Sequence, residues 1–151
     1  MYQKILVPLD GSPTADRGLH EAIKLATGQK TTLYLLHVVN DFVMIVEMSA
    51  VVNYQEMLDR SRQFGEDLLS KAKNTAASAG VQAETLLREI TNKRIAEVIN
   101  DEAVQAGCDL IVMGTHGRRG FSRLTLGSEA EVVVRSCPVP VLMVRMETPK
   151  T

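Results

Sequence analysis

The first forty residues alternate between apolar runs and a stretch with helical spacing. Residues 4–9 (KILVPL) are apolar and end at Asp-Gly-Ser-Pro, which is typical of a strand that gives way to a helix. Ser12 is suited to cap this helix, Pro13 suits its first position, and apolar side chains follow at helical spacing as far as Gly28. Residues 31–39 (TTLYLLHVV) are apolar on both faces, as in a strand of a parallel sheet that is covered on both sides. The pattern therefore predicts a strand, a helix and a second, parallel strand.

The same alternation continues through the middle of the chain. Residues 53–79 have the spacing of a long helix that ends at Gly80. The predicted inner face of this helix carries Met57, Phe64, Leu68, Ala72 and Ala76. Residues 83–88 then predict a strand, and Thr91 is a candidate cap for a helix that runs to about Ala106.

Three further elements complete the pattern. Residues 110–113 predict a buried strand, the sequence Ser-Glu-Ala-Glu from Ser128 has the form of a capping box and opens a short helix, and residues 139–145 (VPVLMVR) predict a last strand. Five strands alternating with four helices predict an α/β fold, an open and mostly parallel five-stranded sheet of the Rossmann-like type with helices on both faces. Ligands of such sheets bind at the carboxyl ends of the strands. No shift in composition divides the chain, so residues 1–151 are predicted to form a single domain.

The composition narrows the classes of function. With 17 basic and 18 acidic residues the formal charge is −1, so no overall field attracts nucleic acid or an anionic membrane. Cys108 and Cys137 have neither metal-site nor disulfide spacing and are expected to be free thiols in a reducing compartment. The apolar run near the N-terminus is too short for a signal peptide or a membrane span, which predicts a cytoplasmic protein.

Asp10 follows the first predicted strand, at the edge of the sheet where ligands bind. An aspartate before glycine is common turn chemistry. Alternatively, its carboxylate contacts the base, the ribose or a metal ion of a ligand. The residues alone leave both interpretations open.

A glycine-rich segment follows the fourth predicted strand. The sequence GTHG begins at Gly114, and nine residues after Gly117 come Gly127 and Ser128. The first two glycines are expected to let the backbone turn and approach a ligand without a Cβ in the way. The last two residues lead into the N-terminus of a helix, where free N–H groups favour phosphate oxygens. The pattern matches neither the Walker motif nor the dinucleotide fingerprint GxGxxG.

Four segments together resemble the universal stress protein family, in particular its ATP-binding branch. They are ILVPLDGS, LLHVV, DLIVMGTHGRRGFSRLTLGS and CPVPVLMVR, so the similarity runs nearly from end to end. The pattern of that branch is glycine, two residues, glycine, nine residues, glycine, then serine or threonine, which Gly114, Gly117, Gly127 and Ser128 match. The resemblance implies an adenine nucleotide alpha hydrolase-like form of the Rossmann-like fold, with ATP and a divalent cation, Mg²⁺ or Mn²⁺, as ligands.

The resemblance also implies which residues contact the nucleotide. The adenine and ribose would be surrounded by Val7, Pro8, Asp10 and, through its backbone, Val39. The path of the ribose and phosphates would be lined by Met113, Gly114, Thr115 and Gly117. The phosphates themselves would be held by Gly127, Ser128 and the amide of Glu129. No catalytic residue is assigned, since no identifiable base lies next to the phosphates.

Glu129 departs from the family pattern, in which a small apolar residue such as valine commonly follows the serine. Its charge either opposes that of a triphosphate and weakens ATP binding, or turns to solvent and caps its own helix. Upstream, Arg118, Arg119 and Arg123 either neutralise phosphate or form a solvated basic turn. His116 is predicted to be a solvent-exposed loop residue rather than a general base.

Two segments bear on partners. The connection formed by residues 40–52 is long and apolar, and it is open to three interpretations: a lid over the nucleotide, a surface for a protein partner, or an extra helical turn packed on the core. Residues 139–145 end an open sheet and therefore form an exposed edge. Pairing of this strand with its counterpart in a second copy, which the resemblance also implies, predicts a homodimer.

Three functions remain open from the sequence. The first is an ATP-binding regulatory protein of the stress response, a nucleotide-dependent switch with slow or no hydrolysis. The second is a weak ATPase or a self-phosphorylating enzyme with Ser122, Thr125 or Ser128 as acceptor. The third is an interaction module that has lost nucleotide binding because of Glu129.

Overall fold

A computed structural model describes residues 1–40, 53–116 and 126–147 of the chain. The interpretations of residues 41–52 and 117–125, including Gly117 and the three loop arginines, therefore lie outside the described residues. In the described ranges, no helix combines the length and the apolar composition that crossing a bilayer requires.

Five parallel strands form one sheet in the described residues. They are β1 (Lys4–Pro8), β2 (Thr32–Asn40), β3 (Gln82–Ile90), β4 (Leu110–Gly114) and β5 (Val141–Val144), in the order β3-β2-β1-β4-β5. The helices in the same ranges are α1 (Pro13–Ala26), α2 (Tyr54–Ser78), α3 (Ile95–Gln105) and α4 (Ser128–Ser136). The predicted α/β fold class is confirmed.

The central strand β1 separates two apolar clusters. Successive side chains of a strand point to opposite faces. Ile5 and Val7 therefore pack with α1 and α2 on one face, while Leu6 packs with α3 and α4 on the other, and all three are fully buried. Covering both faces in this way explains why the strands of this sheet have continuous apolar sequences.

The start of α1 follows the prediction closely. Ser12 caps the helix, its Oγ accepting a hydrogen bond from the amide of Ala15 at 3.2 Å, and Pro13 occupies the first helical position. The side chain of Thr14 then donates to the carbonyl oxygen of His116, which follows β4. This contact ties the first turn of α1 to the segment that leaves β4.

The helix α2 uses a different inner face from the predicted one. Its buried residues are Leu58, Gly65, Leu69, Ala72 and Ala76, of which only the two alanines were predicted. Gly65 decides the orientation, because a Cβ there would lie 2.6 Å from the His37 ring and 2.7 Å from Leu87. The absence of that Cβ lets the helix pack directly on β2 and β3, which turns Phe64 away from the core.

Two predicted helix caps are wrong. Thr91 lies in a bend, and α3 begins only at Ile95, with Arg94 as the residue that caps it and Glu97 accepting a hydrogen bond from the Arg94 amide. In α4 the capping residue is Gly127, and Ser128 is already the first helical residue. The capping box predicted from Ser128 is therefore absent, and the hydroxyl of that serine is not used to cap the helix.

Candidate functional site

A cavity of about 950 Å³ opens at the carboxyl ends of β1, β2 and β4. This is the edge at which an open parallel sheet is expected to bind ligands. The volume lies at the upper end of the range for small-molecule sites. The predicted residues that line it are Pro8, Asp10, Val39, Met113, Gly114, Gly127, Ser128 and Glu129.

Among the described residues, two predicted site residues lie away from the cavity wall. Val7 is fully buried in the core beneath the site, so the structure gives it a packing role. Thr115 is buried rather than part of the cavity wall: its amide donates to the Val144 oxygen at 3.0 Å, and its own oxygen accepts from the Gly127 amide at 2.7 Å. Thr115 therefore fastens the end of β4 to β5 and to the start of α4. Gly117 lies outside the described residues.

The start of α4 lines the cavity with residues whose amides have no acceptor within the helix. The first hydrogen bond within the helix runs from the Glu131 amide to the Gly127 oxygen, at 2.9 Å. The amides of Ser128, Glu129 and Ala130 precede it and have no intrahelical acceptor. They lie at the positive end of the helix dipole, which favours an anionic ligand.

Asp10 closes the turn between β1 and α1. Its Oδ1 accepts a hydrogen bond from the Ser12 amide at 2.9 Å, which is the turn interaction that the sequence offered as one alternative. The residue is half-buried and also lines the cavity. The turn therefore orients a carboxylate at the site, so the two interpretations of Asp10 are compatible.

Gly114 packs closely against the backbone of α1. A Cβ at this position would lie 2.8 Å from the carbonyl carbon and oxygen of Thr14. On the other side of the contact, Gly18 of α1 lies against the backbone of Met113 and Gly114. Gly114 also lines the cavity. A glycine is needed here mainly because α1 packs so closely on the end of β4 that a side chain would collide with it.

The family assignment rests on the whole chain. The model of the universal stress protein family matches residues 1–145. The chain belongs to the universal stress protein family. The resemblance predicted from the four sequence segments is thereby confirmed at the level of the family.

Relatives of this universal stress protein cover nearly all of its length. YxiE of Bacillus subtilis is 34% identical over 96% of this chain and 100% of its own. Among solved structures, the protein MJ0577 superposes with a TM-score of 0.86 at 27% identity, over 98% of this chain and 99% of the other.

Two more distant family structures contain a nucleotide. The protein from Archaeoglobus fulgidus in complex with dAMP has a TM-score of 0.69 at 23% identity, over 95% of this chain and 98% of its own. A universal stress protein in complex with cAMP has a TM-score of 0.64 at 22% identity, over 95% and 97% of the two chains. At these identities the comparison shows a common fold.

The carboxylate of Glu129 contacts the neighbouring helix α3. Its Oε2 accepts a hydrogen bond from the Ala96 amide at 2.8 Å, and Arg94 Nη2 donates to Oε1 at 3.3 Å. The side chain is 35% exposed and reaches α3 rather than bulk solvent. The expectation that it caps its own helix is wrong, because it caps the neighbouring one.

His116 is half-buried, whereas the sequence predicted a solvent-exposed residue. Its Nδ1 lies 3.0 Å from the Thr115 hydroxyl. Its Nε2 is shielded from solvent and has no hydrogen-bonding partner among the described residues. The ring lines the cavity beside Gly114.

One wall of the cavity is formed by α2, which the sequence analysis did not predict. It consists of Met57, Arg60, Ser61 and Phe64, and His37 of β2 lies at its base. The ring of His37 meets that of Phe64 edge to face at 5.8 Å, and its Nδ1 lies 2.7 Å from the Leu9 oxygen. The signal was present, since spacings of three, four and seven residues place these side chains on one helical face. Two of them were assigned to the core instead.

Both cysteines of this family member are free thiols. Burial raises the pKa of the Cys108 thiol to about 11, so it stays protonated and unreactive at neutral pH. Cys108 packs between the sheet and α3, away from the cavity wall. It therefore serves the core, as the sequence predicted.

Proposed function

We propose that this universal stress protein binds ATP in the cavity and acts as a regulatory protein of the stress response. In this role it is a nucleotide-dependent switch with slow or no hydrolysis. The observation that carries the proposal is the start of α4, where Ser128, Glu129 and Ala130 line a cavity at the carboxyl edge of the sheet and their amides have no acceptor within the helix. The N–H groups and the dipole of a helix N-terminus favour the phosphate oxygens of such a ligand.

The other end of the cavity suits a base and a ribose. Pro8 and Val39 supply apolar surface at the ends of β1 and β2, and Asp10 supplies an acceptor for ribose hydroxyls. Met113 and Gly114 line the way from there to α4. The proposed nucleotide spans the sheet edge from β2 to α4, over a floor in which Val7 is fully buried.

A divalent cation fits this arrangement. Mg²⁺ in nucleotide sites is held by phosphate oxygens together with one or two carboxylates and water. Asp10 and Glu129 are carboxylates on the cavity wall, and Glu129 is already engaged with α3. Asp10 is also engaged, since its Oδ1 accepts from the Ser12 amide, so we assign the cation to the phosphates and to water. Its contribution would be to neutralise charge between the phosphate groups.

The nucleotides in related structures support the chemical class of the ligand. The dAMP and cAMP complexes show adenine nucleotides bound to proteins of this fold. The extension to a triphosphate rests on the helix start and on the pattern of Gly114, Gly127 and Ser128. Free thiols and ATP are both typical of the cytoplasm, where we place the protein.

Isothermal titration calorimetry with ATP and Mg²⁺ tests the proposed function. We expect one site per chain for the wild type. Ser128→Ala is expected to weaken ATP binding about tenfold, since a hydrogen bond to a charged group is worth roughly 1.5 kcal/mol. Ser78→Ala, at the exposed end of α2 and away from the cavity, is the control and should bind as the wild type does. Absence of binding heat at millimolar ATP would contradict the proposal, and rapid phosphate release would favour an enzyme instead.

We also propose a homodimer that forms through the edge strand β5. The strand pairs with β4 on one side only, and Val134, Leu142 and Met146 around it are between 38% and 51% exposed. An unpaired edge with apolar neighbours suits pairing around a two-fold axis.

Sedimentation velocity tests this dimer at micromolar protein concentration. The wild type should sediment as a dimer and Leu142→Arg as a monomer, because a charge would be buried at the interface. Val104→Arg is the control, since Val104 is an exposed apolar residue on α3 with 59% of its surface accessible. A monomeric wild type, or an equal effect of both changes, would exclude β5 as the interface.

A further inference from the structure

Glu129 joins the two helices that follow β3 and β4, at the edge of the cavity. We propose that it is a positioning residue, which holds the start of α4 in the orientation that the phosphates of a nucleotide require. The inference rests on the proposed function and assigns a role that neither of the sequence-based interpretations contained. It also reverses the expected effect of removing the charge.

Both oxygens of the carboxylate are engaged by α3. Oε2 accepts from the amide of Ala96 at 2.8 Å, and Oε1 accepts from Nη2 of Arg94 at 3.3 Å. Ala96 is the second residue of α3, so its amide is one of those that lack an acceptor within the helix. Glu129 supplies the acceptor that a side-chain cap from Arg94 cannot, and it places a negative charge at the positive end of α3.

The helix α3 is itself fixed on the sheet, so it can serve as a reference for α4. Its buried Glu102 pairs with Arg88 of β3. A second contact joins the last residue of α4 to the middle of α3, since Asn100 Nδ2 donates to Ser136 Oγ at 2.8 Å. With a contact at each end, α4 has one orientation on α3. A rotation of its first turn would break the hydrogen bond from Ala96.

This geometry bears directly on the amides at the start of α4, beside the cavity. Glu129 is adjacent to Ser128, and its own amide is one of the three at the start of α4. Holding its side chain on α3 therefore fixes the direction in which these amides point. Its negative charge faces Arg94 and the start of α3, which neutralise it locally and reduce its repulsion of a phosphate.

The two roles of Glu129 predict opposite results for the same substitution. If the carboxylate mainly repels phosphate, Glu129→Val tightens ATP binding. If it positions α4, the same change releases the first turn, and binding of the phosphates weakens. Adenosine, which lacks phosphates, serves as an internal reference, because a loss confined to ATP cannot come from general damage to the fold.

Calorimetry with ATP and with adenosine, both with Mg²⁺ and well below each unfolding temperature, separates these roles. We expect Glu129→Val to weaken ATP binding about tenfold and to leave adenosine within about twofold of the wild type. Glu129→Gln keeps an acceptor for the Ala96 amide, so we expect it to bind ATP within about threefold of the wild type. Glu131→Gln is the matched control, because Glu131 is on the same helix and pairs with exposed Arg135.

The possible results are distinct. Unchanged or tighter ATP binding by Glu129→Val would overturn the positioning role, as would equal losses for ATP and adenosine in that variant. The same holds if Glu131→Gln weakens ATP binding as much as Glu129→Val does. If the wild type itself does not bind ATP, the proposed function fails and this inference fails with it. A wild type that binds ATP with variants that bind as well overturns the inference alone.

Discussion

Gly114→Ala is expected to destabilise the protein by about 3 kcal/mol, the upper end of the usual range for overpacking. The added Cβ would meet backbone atoms, at 2.8 Å from the carbonyl carbon and oxygen of Thr14. These atoms cannot move aside easily, because the Ser12 cap fixes the start of α1 and Thr14 is bonded to His116. The clash would separate α1 from β4 at the cavity, so we expect weaker ATP binding as well.

Equilibrium unfolding in urea measures this effect, and Gly18→Ala supplies its control. Gly18 stands on the helix side of the same contact, but a Cβ there would lie 3.5 Å from its nearest neighbours, which is ordinary packing distance. Alanine is favoured over glycine in a helix by about 1 kcal/mol. Gly18→Ala should therefore leave stability unchanged or raise it. Equal urea midpoints for Gly114→Ala and the wild type would show that the close contact between Gly114 and Thr14 does not limit stability.

Arg88→Ala is expected to destabilise the protein by about 2 kcal/mol, because it leaves a carboxylate without its partner in the interior. The Glu102 side chain is only 11% exposed, and Arg88 bonds both of its oxygens. The same change removes the link between β3 and α3. We expect a lower urea midpoint with an unchanged slope.

Arg62→Ala is the matched control for Arg88→Ala. Arg62 of α2 makes a similar two-fold contact with Glu89, with both hydrogen bonds at 2.8 Å. Both of these side chains are more than a third exposed, so water replaces the lost contacts. We expect a clearly smaller effect on the urea midpoint. A larger loss of stability from Arg62→Ala than from Arg88→Ala would mean that burial of the carboxylate does not determine how much stability is lost.

The order of the strands along the chain and the start of α1 were predictable because local signals are strong there. Residues 4–9 are apolar on both faces, which is typical of a buried strand. A serine and a proline directly after a turn are typical of the N-cap and the first position of a helix. The family pattern also located Gly127 and Ser128 correctly on the cavity wall. In these cases the residue type and its immediate neighbours contain the information.

Contacts between distant residues were not predictable. Glu129 and Ala96 are 33 residues apart, and nothing in either segment indicates that one caps the other. Gly114 illustrates the same limit, because the sequence does not show whether a glycine makes room for a packed helix or for a ligand. The face of α2 was wrong for a related reason: Met57 and Phe64 are as apolar as Leu58 and Leu69, and only Gly65 shows which face approaches β2.

The strand order has a consequence for synthesis of the chain on the ribosome. β1 lies between β2 and β4, and Ile5 pairs in register with Leu110. While the chain emerges, β1 gains β2 and then β3 on one side, and its other edge stays open until β4 appears. A growing chain therefore carries its central strand, with the buried side chains of Ile5, Leu6 and Val7, as a temporary edge through most of translation. Its demand for chaperones should end when Leu110 and its neighbours leave the ribosome.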